Sequence, residues 1–320
     1  MFASNEADAT RLRGDLERLS GAYPGKLGVA VSGGPDSLAL LILAASAFPE
    51  WVEAATVDHG LRRDSRGEAG FVADICARLD VPHEILEVEV AAADEGLQAA
   101  ARDARYAALE AWAVRRDIPF ILTAHHADDQ AETLLMRLQR GAGLAGLAGV
   151  RPKRALGNAT ILRPLLGWRR SELAMIVEQA GIEPVQDPSN RDPRFDRVRM
   201  RGRLTEAPWL DAQALARSAG ALAESEDALA WMTERLWRER AERTPKAVLL
   251  DACGLPPELI RRLLLRALHE SAPDARLRGE KVQRLMQALG EGRTATLAGV
   301  KCSGGQHWRF EPAPPRSSRG

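Results

Sequence analysis

The chain has 320 residues, 45% of them hydrophobic and 28% charged, and its 44 basic side chains balance 44 acidic ones. A chain of this length is expected to form two domains, and its apolar runs are too short and too interrupted to cross a bilayer. The charged N-terminus is unlike a signal peptide, so we expect a cytoplasmic protein with no membrane partner. The three cysteines, Cys76, Cys253 and Cys302, form no C-x-x-C pattern and give no support for a zinc or iron–sulfur site.

The first 180 residues alternate between short apolar runs and longer helical patterns after a first amphipathic helix at 5–20. The spacing predicts strands at 27–31, 51–57, 83–90, 119–124 and 161–166, and helices at 38–47, 65–79, 97–116, 128–140 and 171–180. This alternation is typical of an α/β fold in which helices cover both faces of a parallel sheet. The run at 83–90 alternates apolar residues with acids, which indicates a strand nearer an edge.

Beyond residue 205 the composition changes to long helical patterns without the strand alternation. Helices are predicted at 211–243, 257–269 and 278–289, and a hairpin is predicted at 294–310. We therefore predict three segments. They are an α/β domain at 1–205, a smaller and mainly helical domain with a C-terminal hairpin at 206–312, and a disordered tail at 313–320.

The sharpest local signal is SGGPDS, which joins the first predicted strand to its helix. A strand, a glycine turn and a helix aim free backbone N–H groups at an anion, and Gly33 and Gly34 let a phosphate approach closely. Ser32 and Ser37 add hydroxyl donors. Asp36 would repel phosphates unless it holds Mg²⁺ that bridges to them. The alternative is an ordinary turn, but the full motif at this junction favours a phosphate site.

A second polar cluster, AHHADDQAET, lies where the fourth predicted strand meets its helix. Asp128 alone is explained by helix capping, but two histidines, two aspartates, a glutamine and a glutamate exceed what a cap requires. A transition-metal site is disfavoured because no third ligand is evident. Ligands of parallel sheets bind beyond the carboxyl ends of the strands, so we expect SGGPDS, Asp58-His59 and His125-His126 along one edge.

Two basic blocks interrupt the neutral chain. Residues 151–170 carry five arginines, one lysine and no acid, and residues 191–203 carry a net charge of +4 from six arginines and two aspartates. Such blocks indicate either a polyanion-binding surface or solvated helix faces, and both interpretations stay open. The glycine-rich segment at 141–149, which directly precedes the first basic block, is either a mobile loop over the site or a plain linker.

These motifs carry a resemblance. SGGPDS resembles the PP-loop of the ATP pyrophosphatases, which cleave ATP between its α and β phosphates. The ordered set covers about residues 25–205 and is similar to the tRNA(Ile)-lysidine synthase family. The motifs, in order, are SGGPDS, VDHGLR, ARDARY, AHHADDQAET, RGAGLAGLAGV, RPLL and DPSN.

The resemblance implies an ATP-dependent ligase that uses Mg²⁺. The family activates C2 of the wobble cytidine of an isoleucine tRNA with a CAU anticodon by adenylating its O2, and free lysine then attacks C2 and displaces AMP to give lysidine. By this resemblance, segment 1–205 is the ATP-binding catalytic domain and segment 206–312 is the tRNA-binding domain. Codon reading changes from AUG to AUA. No protein partner is predicted.

Site residues follow position by position from the same resemblance. The implied ATP-binding residues are Ser32, Gly33, Gly34, Pro35, Asp36, Ser37, Val57 and His59, with Asp36 also the metal ligand. The implied catalytic residues are Asp36, Arg105, His125, Asp129 and Arg197. Lysine binding is expected at Asp128 and Asp129, with Asp129 favoured, and tRNA binding at Arg151, Lys153, Arg154, Arg199 and Arg201.

One segment departs from the family pattern. Relatives commonly show R-N-x-x-R after DPSN, whereas this chain keeps both arginines and has Val198 in place of the asparagine. Two other functions stay open: a PP-loop ligase that joins a small carboxylate or amide to an amine without tRNA, and a tRNA-binding protein whose ATP site is structural or regulatory.

Overall fold

A computed structural model describes residues 4–21, 25–60, 65–89, 97–185, 192–273, 275, 277 and 279–313. The chain divides into two compact units, residues 1–223 and 224–320. The predicted boundary at 205/206 lies inside the first unit, and the division falls within a long helix that contributes to both units. The predicted disordered tail lies, except for Ala313, outside the described residues.

The first unit is built on a mixed sheet of six described strands. They are β1 (Leu27–Ala30), β2 (Val52–Asp58), β3 (His83–Glu87), β4 (Phe120–Leu122), β5 (Lys153–Leu156) and β6 (Ala159–Leu162). The spatial order is β3-β2-β1-β4-β6-β5, and every pairing is parallel except the antiparallel β5–β6 hairpin. The prediction that β3 lies at an edge is confirmed.

Helices cover both faces of this sheet. The helices that begin in the first unit are α1 (Glu6–Ser20), α2 (Pro35–Ala47), α3 (Ser65–Arg78), α4 (Leu97–Arg116), α5 (Ala127–Gln139), α6 (Leu144–Leu147), α7 (Arg170–Gln179), α8 (Asp196–Thr205) and α9 (Ala212–Arg240), with a 3-10 turn at Pro164–Gly167. Local chemistry sets their ends. Asn5 caps α1 by accepting a hydrogen bond from Asp8 N at 2.8 Å, and Gly21 ends that helix in the left-handed conformation.

Alternate strand residues supply two separate cores, one on each face of the sheet. Leu122 and Leu162 belong to the core shared with α1, α2 and α7, whereas their neighbours Ile121 and Ile161 belong to the core beneath α4. This is the period of two expected of strands that are buried on both faces. It explains why these strands appear in the sequence as short, nearly continuous apolar runs.

The Trp112 ring of α4 packs directly against the backbone of Gly28 in β1. A Cβ atom added at Gly28 would stand 2.6 Å from the ring of Trp112, which is fully buried. Only glycine leaves room for the indole at this point in β1. The aromatic ring on α4 therefore explains the one residue without a side chain in the central strand.

The glycine-rich segment at 141–149 is tied to α5. Arg137 Nη1 donates to Gly146 O at 2.6 Å and to Gly149 O at 3.1 Å. The side-chain amide of Gln130 makes two hydrogen bonds with the backbone of Val150, at 2.7 and 2.8 Å. The segment is thus a structured connection that contains α6, rather than a plain linker.

The second unit combines two helices with an antiparallel sheet. Its elements after α9 are β7 (Ala241–Arg243), β8 (Val248–Leu250), α10 (Pro257–Ser271), α11 (Gly279–Gly290), β9 (Thr294–Leu297), β10 (Val300–Ser303) and β11 (Trp308–Pro312). The described strands follow the order β7-β8-β11-β10-β9. Phe310, Leu263 and Leu250 are fully buried in one core cluster.

The predicted fold class is confirmed, and the differences lie in weakly patterned elements. The sequence interpretation missed β5, α8, β7 and β8. β5 is exposed at three of its four positions and charged at two of them, so it lacks an apolar signature. The predicted strand at 161–166 ends at Leu162 because Pro164 opens a 3-10 turn. Among the described residues, no helix is long and apolar enough to span a membrane.

Candidate active site

The SGGPDS loop is closed by its two serines. Ser37 Oγ accepts a hydrogen bond from Ser32 N at 3.1 Å and donates one to Gly34 O at 2.9 Å. The two hydroxyl oxygens are 3.2 Å apart. Ser37 is buried, so it shapes the loop, whereas Ser32 is exposed.

The N-terminus of α2 is left free for an anion. Gly34 is its N-cap and provides no side-chain hydrogen bond, and Pro35 occupies the first helical position. Gly33 has φ +80°, and a Cβ atom there would stand 3.2 Å from Val185 Cγ2. Gly33 O also accepts a hydrogen bond from Val185 N at 3.1 Å. This turn therefore requires glycine for its backbone conformation and has little room for a side chain.

Asp36 faces the second polar cluster across the sheet edge. Its Oδ2 lies 3.5 Å from Nε2 of His126, which is 1% exposed. The other carboxylate oxygen, Oδ1, is buried and has no hydrogen-bond partner among the described residues. The expected meeting of SGGPDS with the histidine pair at one edge is confirmed. A buried oxygen without a partner suits a cation ligand, although no group of three or more His, Cys, Asp or Glu side chains among the described residues is arranged to hold a metal ion.

His126 is the buried cation of this site. Asp128 Oδ2 lies 3.5 Å from its Nδ1, and Asp129 Oδ2 lies 3.6 Å from its Nε2. These contacts lack hydrogen-bond geometry, so the imidazolium and the carboxylates attract each other electrostatically. Burial opposes the imidazolium, but Asp128, Asp36 and Asp129 outweigh burial and raise the pKa of His126 to about 10.

His125 has the opposite character. Its Nδ1 lies 3.3 Å from Thr123 Oγ1. Burial lowers the pKa of His125 to about 4; the charge of Asp129 works against this, while nearby Arg163 and Arg197 add to it. Adjacent histidines thus hold different protonation states at neutral pH, because burial dominates at His125 whereas three carboxylates outweigh burial at His126.

Asp128 and Asp129 are held by different partners. Asp128 Oδ2 accepts a hydrogen bond from the backbone N–H of Arg170 at 2.8 Å, and the Asp128 side chain is 34% exposed. Burial opposes the charged form of Asp128, but contacts with His126 and Arg170 N lower its pKa overall. Asp129 Oδ2 accepts from His126 N at 3.1 Å, and its side chain is 14% exposed. The N-cap residue of α5 is thus His126, whose backbone N–H is bound by Asp129, and Asp128 is not the cap.

One buried glutamate joins α5 to α8. Glu132 is 2% exposed, and its carboxylate contacts Arg197 Nε at 2.6 Å and Arg201 Nε at 2.8 Å. Arg197 Nη2 also contacts Asp129 Oδ1 at 2.9 Å. Burial disfavours the charge on Arg197, but Asp129 and Glu132 outweigh it and raise the pKa of Arg197. The prediction that Arg197 belongs to the site is consistent with this geometry, whereas the sequence analysis gave Glu132 no role.

On the other side of the loop, Arg105 and His59 lie within electrostatic range of each other. Both ring nitrogens of His59 are buried without a hydrogen-bond partner among the described residues. Burial lowers the pKa of His59, and the charge of Arg105 lowers it further. Burial likewise lowers the pKa of Arg105. Val57, near the end of β2, is half-buried beside this pair.

The predicted tRNA-binding residues fall into two groups. Lys153 and Arg154 are exposed on β5, and Arg151 Nη1 donates to Ala223 O at 3.0 Å. Arg199 instead donates to Pro193 O at 2.8 Å and contacts Asp196. Arg201 is engaged by Glu132, as described above. The arginines of α8 therefore serve local structure in part, while those of the β5 hairpin are more open.

Parts of two motifs, the final Leu61 and Arg62 of VDHGLR and DPSN at 187–190, lie outside the described residues. The helix predicted at 171–180 begins one residue earlier. The N-cap of α7 is Arg169, whose backbone N–H donates to Glu172 Oε2 at 2.6 Å. Glu172 at the third helical position provided a sequence signal for this cap.

Comparison with known proteins accounts for this geometry. Residues 9–207 match the family model of the PP-loop domain. A tRNA(Ile)-lysidine synthase of Zymomonas mobilis is 48% identical over 303 residues, covering 93% of this chain and 92% of that protein. A tRNA(Ile)-lysidine synthase of Novosphingobium aromaticivorans is 44% identical over 314 residues, covering 97% of this chain and 95% of that protein.

Among solved structures, the tRNA thiolase NcsA from Methanococcus maripaludis superposes with a TM-score of 0.56 at 17% identity, covering 68% of this chain and 78% of that one. This similarity shows a shared fold. The PP-loop at the end of β1, the histidine pair facing it and the near full-length relatives agree, and the chain belongs to the tRNA(Ile)-lysidine synthase family.

Proposed function

We propose that this protein is an ATP-dependent ligase that attaches lysine to C2 of the wobble cytidine of an isoleucine tRNA with a CAU anticodon. The reaction passes through an adenylated tRNA, releases AMP and pyrophosphate, and forms lysidine, so that the anticodon reads AUA instead of AUG. Near full-length relatives of the same family support this assignment. The single structural observation that carries it is Asp36 of the phosphate loop facing His126 at 3.5 Å, beside Asp128 and Asp129.

The first half-reaction needs a bound triphosphate and a stabilised α-phosphate. The uncapped N-terminus of α2 offers backbone N–H groups to the phosphates, beside the tight turn at Gly33. Asp36 would hold Mg²⁺ through its partnerless Oδ1, and the ion would supply positive charge against the phosphates. We expect Val57 and His59, at the end of the neighbouring strand β2, to contact the nucleoside of ATP.

The arginines then stabilise the charge that accumulates on the α-phosphate when AMP leaves. Arg105 approaches from α4 and Arg197 from α8. Arg197 is already oriented by Asp129 and Glu132, so it needs little reorganisation to reach the transition state. Preorganised charge of this kind is a large contribution to catalysis.

The second half-reaction needs a receptor for the lysine ammonium and an acceptor for its proton. Asp129 is engaged by Arg197 and by a backbone N–H, and it is less exposed than Asp128. The geometry therefore supports Asp128 as the carboxylate that meets lysine, although the family resemblance favours Asp129. His125, neutral at pH 7, is available to accept a proton, whereas His126 is already charged.

The decisive experiment measures AMP and pyrophosphate release by the purified protein with ATP, lysine and the cognate tRNA. AMP release is expected only when lysine and that tRNA are both present, whereas the first half-reaction can release pyrophosphate with tRNA alone. Absence of AMP above background with both substrates would refute lysidine formation. A tRNA-independent ligase would instead keep its full activity after ribonuclease treatment.

The location follows from the substrates rather than from the fold. A tRNA-modifying ligase needs the pools of tRNA, ATP and lysine that meet in the cytoplasm, which supports the predicted cytoplasmic location.

A further inference from the structure

A group of arginines surrounds Tyr106 on the side of the sheet edge away from β2. The Cζ atom of Arg154 lies 4.4 Å from the centre of the Tyr106 ring, and that of Arg102 lies 5.1 Å from it. Arg102 Nη2 also donates to the Tyr106 hydroxyl at 3.3 Å. Arg163 completes the group and acts electrostatically with Tyr106, Arg102 and Arg154. We call Arg102, Tyr106, Arg154 and Arg163 the Tyr106 cluster.

The Tyr106 cluster carries positive charge without acidic partners. In the part of the chain that the structure describes, no ion pair joins Arg102, Arg154 or Arg163 to a carboxylate. Arg163 is 4% exposed, and although its Nη1 donates to Arg151 O at 2.6 Å, its buried Nε has no partner among the described residues. Three neighbouring guanidinium groups repel one another, and a buried donor without a partner is costly. An anion would relieve both costs.

The position of the Tyr106 cluster indicates which substrate it contacts, ATP or the acceptor. Arg163 directly follows β6, which neighbours β4, and Thr123 N after β4 donates to Leu162 O at 3.0 Å. The charges of Arg163 and Arg102 act on His125. In the strand order, β2 and the SGGPDS loop after β1 lie on the other side of β4. ATP therefore enters from the loop side, and the cluster faces the acceptor side.

On the acceptor side the candidates are the RNA and free lysine, and the observations favour RNA. Arg102 and Arg154 are exposed, and Arg154 follows Lys153 on a hairpin without acidic residues. Three guanidinium groups exceed what the single carboxylate of lysine requires. Guanidinium forks stacked on an aromatic ring are well suited to hold a phosphate in a fixed orientation.

Building on the proposed function, we infer that the Tyr106 cluster binds one phosphodiester of the anticodon loop, next to the cytidine that reacts. The contact would hold the backbone while the unpaired base turns toward the SGGPDS loop. Recognition of single-stranded loops by splayed bases and fixed backbone phosphates is a general mode of RNA binding. The cluster is then a positioning site for the substrate rather than a source of chemical groups.

The test uses a short anticodon stem–loop RNA with the CAU anticodon, with neither ATP nor lysine present. In two modified RNAs, an uncharged methylphosphonate replaces the phosphate on one or the other side of the wobble cytidine. One replacement is expected to weaken binding to the wild-type protein about tenfold, as loss of a charge-assisted contact should. Arg102→Ala and Arg154→Ala should each weaken binding of the unmodified RNA about as much, and should remove the effect of that replacement.

Salt dependence and substrate kinetics provide independent readouts. Each variant should lower the slope of log affinity against log salt by about 0.7, the value for one phosphate of a single strand, and leave the KM for ATP and for lysine unchanged. Arg115→Ala, on the same helix but paired with Glu84, is the matched control and should bind like the wild type. Unchanged melting temperatures would show that the variants are folded.

The inference is overturned if neither methylphosphonate affects the wild-type protein, or if its effect persists in both variants. It is also overturned if the variants raise the KM for lysine while RNA affinity stays constant, because the cluster would then bind the amino-acid carboxylate. Failure of the proposed function appears separately, as absent lysine-dependent AMP release by the wild-type protein.

Discussion

His125 and His126 are neighbours in the chain with opposite electrostatic surroundings. His126 lies among three carboxylates, and burial leaves them little screening. Its raised pKa means that its charged form stabilises the fold fully below about pH 6.5, and that this contribution is lost as the pH rises toward about 10. The depressed pKa of His125 means that the protein loses stability as the pH falls from about 6.5 to about 4.

The different pKa values of His125 and His126 predict that the two rings titrate at well-separated pH values. In NMR spectra of protein labelled at the histidine rings, one resonance should keep imidazolium shifts up to about pH 9, and another should stay neutral down to about pH 5. His126→Gln should remove the first and His125→Gln the second. Titration of both rings near their ordinary value of about 6.5 would contradict the described geometry.

The two aspartates of α5 are expected to respond differently to loss of charge. Asp128→Asn should raise the KM for lysine about tenfold with a smaller effect on kcat, because a charge-assisted contact to the substrate ammonium is lost. Asp129→Asn should lower kcat more than it raises that KM, because it releases Arg197.

Steady-state AMP release at varied lysine concentration separates these effects. Asp117→Asn is the matched control, since Asp117 is exposed before β4 at the opposite edge of the sheet, and asparagine tolerates its positive φ. The reverse assignment, with Asp129→Asn raising the KM for lysine more, would favour Asp129 as the lysine receptor.

Between elements, Glu132 is the main polar connection of α5 to α8. Glu132→Gln removes a buried charge and leaves Arg197 and Arg201 with a weaker acceptor. The free energy of unfolding should fall by roughly 3 kcal/mol, as for other broken buried ion pairs, and kcat should fall because Arg197 loses its orientation.

Urea denaturation and AMP release measure the two effects on the same protein sample. Glu178→Gln, a change of the same type on the exposed surface of α7, should alter neither. A Glu132→Gln protein with wild-type stability would mean that the two arginines find other partners.

The sequence could predict the elements whose signal is local. The apolar runs of β1 and β4, and the strand–glycine–helix pattern of SGGPDS, are visible without tertiary information. The edge that unites Asp36 with His126 followed from the parallel topology. Glu132 and Arg163 were not assigned roles in the site because a single charged residue gives no indication of burial, and their partners are distant in the sequence.

In the whole molecule, each of the two units has its own apolar core. The core of the first unit contains Phe48, and that of the second contains Phe310, and both rings are fully buried. Helix α9 belongs to both units, so its two parts are expected to follow different cores. The role of the second unit in tRNA binding remains a prediction.

Two matched Phe→Ala substitutions test whether the cores of the two units unfold independently. Phe310→Ala should cost about 3–5 kcal/mol and unfold residues 224–313 at lower denaturant concentration, while ATP binding by the first unit persists. Phe48→Ala should do the reverse, abolishing ATP binding first. Hydrogen exchange followed by mass spectrometry resolves the two regions, including the part of α9 beyond residue 223. If the second unit binds tRNA, Phe310→Ala should also reduce RNA affinity. A single transition shared by both regions in both variants would show that the cores are energetically coupled through α9.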